Sequence, residues 1–199
     1  QDVVIILASN RPDLIDPAVL RPGRIDRKIK VSRPNRDSAA SILSVYLTDD
    51  LPLDRQWIDQ HGGDRKKACG DLVEHALSAI FSRIDENRLL SVRLRNGQNK
   101  VLYRSDLISG AILASIVQRA KEQAIDRMIA SGGTDQGGMT LDDLVNAVHA
   151  EFREGEMLPP DVAAEEWLKL LDHHPEQVVG VSSFRRGRQS EERLINQII

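Results

Sequence analysis

Apolar positions form short β-branched runs at the start of the chain and helical stripes after it. Val3 to Leu7 is long enough for one buried strand, and Ala8-Ser9-Asn10 closes it with small and polar residues. Arg11-Pro12-Asp13 and Asp16-Pro17 predict a loop and a short helix start. Arg21-Pro22-Gly23-Arg24 sets two arginines around a Pro-Gly bend. Ile29 to Val31 reads as a second short strand, closed by Arg33-Pro34. Pro34 to Asp37 predicts a turn and a helix cap, and Ser38 to Leu47 carries Ala39, Ile42, Leu43, Tyr46 and Leu47 at helical spacing. Trp57 and Ile58 fall on a short helix broken by His61-Gly62-Gly63. Lys66 to Arg88 reads as one longer helix, with Ala68, Leu72, Ala76, Ile80, Phe81 and Ile84 as its apolar stripe.

Leu89 to Leu94 alternates, Asn96-Gly97 is a hairpin turn, and Lys100 to Tyr103 is the returning strand. Leu90, Val92 and Leu94 are therefore expected on one side. Ser105 or Asp106 is expected to cap the next element. A strong helix then runs from Ser109-Gly110-Ala111 to Ala130, with Ile112, Ile116, Ala120, Ala124 and Met128 on one face and Lys and Arg outside. Ser131-Gly132-Gly133 ends it. Thr140 caps Leu141 to Phe152, and Asp143 completes a capping box. Pro159-Pro160-Asp161 opens a helix over Val162 to Leu171, which His173-His174-Pro175 stops. Gln177 to Phe184 is expected as a short strand, and Glu191 to Ile199 as weakly helical.

Composition narrows the class. The 199 residues suffice for one domain or two small ones. Aromatics make up only 4%, so the core must rest on Leu, Ile, Val and Ala. A formal charge of −3 argues against a general nucleic-acid surface. The single Cys69 excludes an internal disulfide and a cysteine-only metal site. No apolar run approaches the length of a membrane span and no signal-peptide pattern occurs, so the cytoplasm is the default compartment. Gln1-Asp2 leads straight into a strand-like run that cannot satisfy both edges alone, so this sequence is expected to be the C-terminal part of a longer protein.

Three places could carry chemistry. Asn10 at a strand tip could position a water beside a phosphate, and Arg21 and Arg24 could neutralise charge that develops during phosphoryl transfer. The alternative is that Asn10 caps the strand while the arginines pair with Asp13, Asp16 or Asp26. Ser109-Gly110-Ala111 at a helix start would let a flat ring or ribose approach the backbone, or would serve a tight helix–helix contact. The apolar end Leu194 to Ile199 could dock in a pocket on a partner or fold back on its own domain. The histidines are dispersed without metal-ligand spacing, and surface positions or caps are expected for them; Cys69 reads as a packing residue. Asp85-Glu86 face different directions on a helix and are no carboxylate pair, and Arg185 to Arg188 reads as a solvated basic segment.

Ala8-Ser9-Asn10-Arg11-Pro12-Asp13, Leu14-Ile15-Asp16-Pro17-Ala18 and Leu20-Arg21-Pro22-Gly23-Arg24-Ile25-Asp26 together resemble the second region of homology of AAA ATPases. The segment after Leu47, Asp85-Glu86-Asn87-Arg88, the Asn96-Gly97 hairpin and Ser109-Gly110-Ala111 extend the resemblance to the proteasome-associated ATPases of actinobacteria. The resemblance implies an α+β fold. Residues 1–33 would end the large AAA α/β subdomain, residues 34–175 would form the mainly helical lid with an inserted hairpin near 89–103, and 176–199 would be a tail. It implies that Asn10 is the sensor-1 residue, that Arg21 and Arg24 are arginine fingers acting on the neighbouring subunit's ATP, and that Asp13 and Asp16 shape the subunit contact. Gly110 and Ala111 would pack near adenine and ribose. The implied parent is a homo-hexamer that uses ATP with magnesium to unfold tagged proteins and pass them to the 20S proteasome, with a coiled coil upstream.

No G-x-x-x-x-G-K-[ST] stretch occurs and no acidic strand-end pair precedes Val3. The Walker A, Walker B and pore-loop elements would lie upstream, and this chain alone is expected to be inactive. The relatives' tail ends Gly-Gln-Tyr-Leu, whereas this sequence ends Asn196-Gln197-Ile198-Ile199. Gln197, Ile198 and Ile199 are the expected docking residues, without the tyrosine. The alternatives are a remodelling ATPase of the segregase type with no protease partner, and a noncatalytic assembly module.

Overall fold

The computed structural model describes residues 4–9, 15–19, 21, 23–25, 27–132, 137–154, 178–185, 188–189 and 193–194. The chain divides into two compact units, Gln1–Ser32 and Arg33–Ile199.

No helix or strand forms among the described residues of the first unit. Val4, Ile5 and Ile6 are 80% or more exposed, as are Ile29 and Val31. Neither expected strand, over 3–7 or over 29–31, is present in the described residues. An isolated β-branched run has no neighbour to take its amides and carbonyls, so its preference for extended backbone does not become a ladder.

The second unit is a helical bundle with a small antiparallel sheet. Its helices are α1 (Arg36–Tyr46), α2 (Arg55–Gln60), α3 (Arg65–Phe81), α4 (Arg104–Leu107), α5 (Gly110–Ala130) and α6 (Leu141–Glu154). Short polar residues open α1, α2, α3 and α5. Asn35, Asp54, Asp64 and Ser109 accept hydrogen bonds from Ser38, Trp57, Lys67 and Ile112 amides. At α6 the capping box is complete. Thr140 Oγ1 accepts from the Asp143 amide at 3.1 Å, and Asp143 Oδ2 accepts from the Thr140 amide at 2.8 Å. α1 packs on α3 and α5, and α6 packs on both of them, which closes a four-helix core. Leu43, Leu72, Ile80, Ile116 and Leu144 are fully buried in it.

Several boundaries differ from the sequence pattern. The long helix stops at Phe81, leaving Ile84 half exposed. The buried Asn87 amide donates to the Ala79 and Ser82 carbonyls at 2.9 and 2.7 Å, so a side chain takes the oxygens that further helical turns would have used. Asp106 does not open α4 but lies inside it, accepting from the Tyr103 amide at 2.8 Å. On α5, Ile116, Ala120 and Ala124 are buried, whereas Met128 is 39% exposed. Its basic residues are not all outside. Arg127 pairs with the buried Asp143 at 2.7 Å and Arg119 with Glu151 at 3.2 Å.

Strands β1 (Arg88–Leu94) and β2 (Asn99–Tyr103) form the expected hairpin, with Gly97 at φ +81° in its turn. Leu90 and Val92 are buried and Leu94 half-buried. Strand β3 (Val178–Arg185) pairs with β1 in antiparallel register, Val92 opposite Val181. β4 (Arg188–Gln189) and β5 (Arg193–Leu194) pair with β3, so the segment expected as weakly helical contributes a short strand instead. The helix expected over 162–171 lies outside the described residues.

Candidate functional site

In the first unit, the described residues between 15 and 25 form two successive turns. Asp16 Oδ1 accepts from the Ala18 amide at 2.7 Å, and its carbonyl accepts from the Val19 amide at 2.9 Å. An Asp that bonds the amide two residues on closes a turn by itself. The Arg24 amide then donates to the Arg21 carbonyl at 3.2 Å, with Gly23 at φ +83° in the third position. Proline second and glycine third is the sequence that a type II turn requires, because its third residue needs positive φ. Arg24 Nη1 reaches back to the Ala18 carbonyl at 3.0 Å. Ala18 is thus held through its amide by Asp16 and through its carbonyl by Arg24. Arg21 and Arg24 are both exposed. Asn10 and Asp13 lie outside the described residues.

The second unit presents the start of α5. The Ser109 hydroxyl accepts from the Ile112 amide at 3.3 Å. Ala111 is exposed, and a Cβ added to Gly110 would meet no atom within 4 Å. A tight helix–helix contact is therefore not what keeps this turn small. An uncovered helix start with small side chains admits a planar group close to the backbone. The turn is anchored by Arg33, whose Nη1 donates to the Leu107 carbonyl and, at 3.4 Å, to that of Ile108. The sequence pattern missed Arg33. Its only signal was its place beside Pro34 at the domain boundary, and no local rule links it to carbonyls 74 residues away.

Three titratable groups elsewhere have structural partners. His61 ends α2 with Nδ1 2.7 Å from the Trp57 carbonyl and Nε2 3.1 Å from Asp71 Oδ2. The Trp57 carbonyl first, and then Asp71, raise its pKa above the ordinary 6.5. His149 is the opposite case. Burial first, and then Arg104 and Arg153, lower its pKa. Burial pushes the Cys69 thiol up, and its Sγ donates to the Thr48 carbonyl at 3.3 Å, in keeping with a packing role. Among the described residues there is no group of three or more His, Cys, Asp or Glu that could hold a metal ion. No helix among them is long and apolar enough to cross a membrane. Gln197, Ile198 and Ile199 lie outside the described residues.

Two family models match. The ARC, AAA+ ATPase lid domain covers residues 34–198. The ATPase family associated with various cellular activities (AAA) covers residues 1–33. Similar relatives include the proteasome-associated ATPase of Acidothermus cellulolyticus, 39% identical over 96% of this chain and 32% of the relative. That of Acidimicrobium ferrooxidans is 42% identical over 90% of this chain and 31% of the relative. That of Mycobacterium avium is 37% identical over 96% and 31%. The chain spans about a third of the length of the curated relatives it matches.

Proposed function

We propose, because this chain belongs to the AAA ATPase family and carries its ARC-type lid, that it is the C-terminal part of a ring-forming, ATP-driven protein unfoldase. In this reading it supplies arginine fingers to the neighbouring subunit's ATP and the lid over its own. Residues 1–33 end the large subdomain. Residues 34–175 make the lid, to which strand β3 adds, and the remainder is the tail. ATP and magnesium are held mainly by residues outside this chain. The ring is a homo-hexamer, and its substrates are tagged proteins destined for the 20S proteasome.

One observation carries the reading: Arg21 and Arg24 stand exposed at the two ends of a turn with Gly23 at positive φ, and Arg24 ties that turn to the one Asp16 closes at Ala18. A fixed turn limits the conformational freedom lost when a guanidinium meets phosphate. Arg24 already uses one Nη on the Ala18 carbonyl, so its geometry is set before a partner arrives. As the γ-phosphoryl group transfers, charge spreads over its oxygens, and cationic donors placed for that charge lower the barrier. Asn10 is assigned the task of placing the attacking water. Asp16 acts on chemistry only through the loop, as a positioning residue, with Asp13 beside it at the subunit contact. The open turn at Gly110 and Ala111 accepts the adenine and ribose of the subunit's own nucleotide.

The test is a complete subunit carrying Arg24→Ala. Nucleotide binding is expected to persist, while steady-state phosphate release drops by about 10³- to 10⁵-fold, the usual worth of an arginine finger. Wild-type turnover in the assembled variant would refute the assignment. A second reading keeps the enzyme but drops the protease. It is a remodelling ATPase of the segregase type, favoured by the segment Asn196-Gln197-Ile198-Ile199, which has isoleucine beside the glutamine where the resembled proteins have tyrosine.

A further inference from the structure

α4 is only four residues long, and its last carbonyls have no helical amide to accept from. Arg33 takes the place of water or a local cap there, bonding the Leu107 and Ile108 carbonyls. These residues immediately precede Ser109, whose hydroxyl starts α5, and the Gly110-Ala111 turn. Ile108 is fully buried, so this turn is fixed to the core as well. Arg33 is also the first residue of the second unit. Pro34 follows it, with a backbone angle fixed by its ring, and then Asn35, whose side chain caps α1 at 2.8 Å. Three consecutive residues thus leave the entering chain little freedom: one is hydrogen-bonded to the α4–α5 turn, one is ring-constrained, and one caps a helix. Bonds from a charged guanidinium to carbonyls are among the stronger neutral-acceptor bonds, and here they join segments far apart in sequence.

From this we infer that Arg33 is a positioning residue that couples the Ser109-Gly110-Ala111 turn to the joint between the two units. A nucleotide that shifts the turn shifts the Leu107 and Ile108 carbonyls, and the guanidinium carries that shift to the first residue of the lid. The joint then responds to whether the turn is occupied. The coupling rests on the nucleotide reading above. It assigns Arg33 no contact with nucleotide.

The test uses the complete ATPase subunit with Arg33→Ala and, in parallel, Arg33→Lys, whose ammonium can serve one carbonyl at a time. Three quantities are read: ADP affinity, kcat for ATP, and hydrogen exchange of peptides spanning 30–38 and 107–113, with and without ADP. In Arg33→Ala, ADP affinity is expected to stay within about threefold while kcat falls about ten- to a hundredfold, the scale of a small misplacement. The ADP-dependent exchange difference is expected to survive at 107–113 and vanish at 30–38. Arg33→Lys should lie between this and wild type, and it decides the matter if Arg33→Ala does not fold. Wild-type kcat together with an intact exchange difference at 30–38 would overturn the inference, even if the melting temperature fell, because Arg33 would then be structural only. If the wild-type subunit binds ADP but shows no protection at 107–113, the assignment of nucleotide to the turn fails, and the coupling fails with it.

Discussion

His61 has an oxygen acceptor on each side of its ring, the Trp57 carbonyl at 2.7 Å and Asp71 Oδ2 at 3.1 Å. Only the doubly protonated imidazolium donates to both. His75 lies 3.6 Å from the same carboxylate oxygen, and Lys67 opposes the charge on His61. The raised folded pKa means that the folded state holds this proton more tightly than the unfolded one. The stabilisation is therefore fully present below the ordinary 6.5 and lost as pH rises through the folded value. His149 has the reverse sign. Its Nδ1 accepts from Arg104 at 3.1 Å, which requires a neutral ring, and its folded pKa is lowered. Its contribution is present above 6.5 and lost as pH falls through the lowered value. Urea unfolding of this chain across pH 5 to 8 separates the two. His61→Gln is expected to destabilise most at the acid end, and the difference from wild type should shrink toward the alkaline end. His149→Gln should relieve part of the acid loss. A difference that does not change with pH in either variant would rule out titration as the cause.

The elements are joined where α5 hands over to α6, and one glycine there has no substitute. Gly138 sits at φ +107°, and a Cβ on it would lie 2.4 Å from the Leu53 carbonyl carbon and 2.7 Å from the Asp54 nitrogen. Those backbone atoms are locked. The Met139 amide donates to the Pro52 carbonyl at 2.8 Å, the Asp54 amide donates to the Met139 carbonyl at 3.0 Å, and Arg127 holds the Gly138 carbonyl at 2.9 Å. Gly138→Ala is therefore expected to cost about 3 kcal/mol or more in urea unfolding. Gly70→Ala is its control, in exposed helix with nothing within 4 Å, and should gain roughly 0.5 to 1 kcal/mol. Equal effects at the two glycines would contradict this packing. The contrast marks what the sequence made legible. The Asn35 cap, the Thr140–Asp143 box and the Asn96-Gly97 turn were readable because signal and partner lie within three residues. The Leu53–Met139 bridge, the pairing of β3 with β1 and the Arg33 bonds were not, because each joins residues at least 74 positions apart. Ile84 kept the helical period, but Asn87 capped α3 first, which periodicity alone cannot register.

For the whole molecule the same division holds. Arg21 and Arg24 stand out as candidate anion-binding groups because the Pro-Gly bend between them is local in sequence, whereas the target proposed for them belongs to another subunit, which no local pattern registers. The tail poses the remaining question, since the unfoldase and segregase readings differ there. β5 pairs Arg193 and Leu194 with Val181 and Gly180 of β3, which ties the chain to the lid sheet five residues before Ile199. Five residues span at most about 18 Å when fully extended. A docking group at Gln197, Ile198 and Ile199 thus reaches only a pocket close to that sheet, so the lid must come near the partner's surface. Such a short tether also keeps the tail at high local concentration once one subunit of a ring has engaged. In the proposed hexamer, six weak tails would then act as one strong contact. The unfoldase reading accordingly expects the complete ring to capture 20S particles in a pull-down and a ring lacking the last three residues to lose them. Because avidity multiplies a weak contact, dissociated subunits should capture poorly even with the tail intact. Capture that is equal with and without those residues would remove the tail from docking, and no capture by the intact ring would favour the remodelling ATPase. The reach from β5 does not depend on whether a tyrosine stands beside Gln197, so the measurement on the ring decides between the two readings.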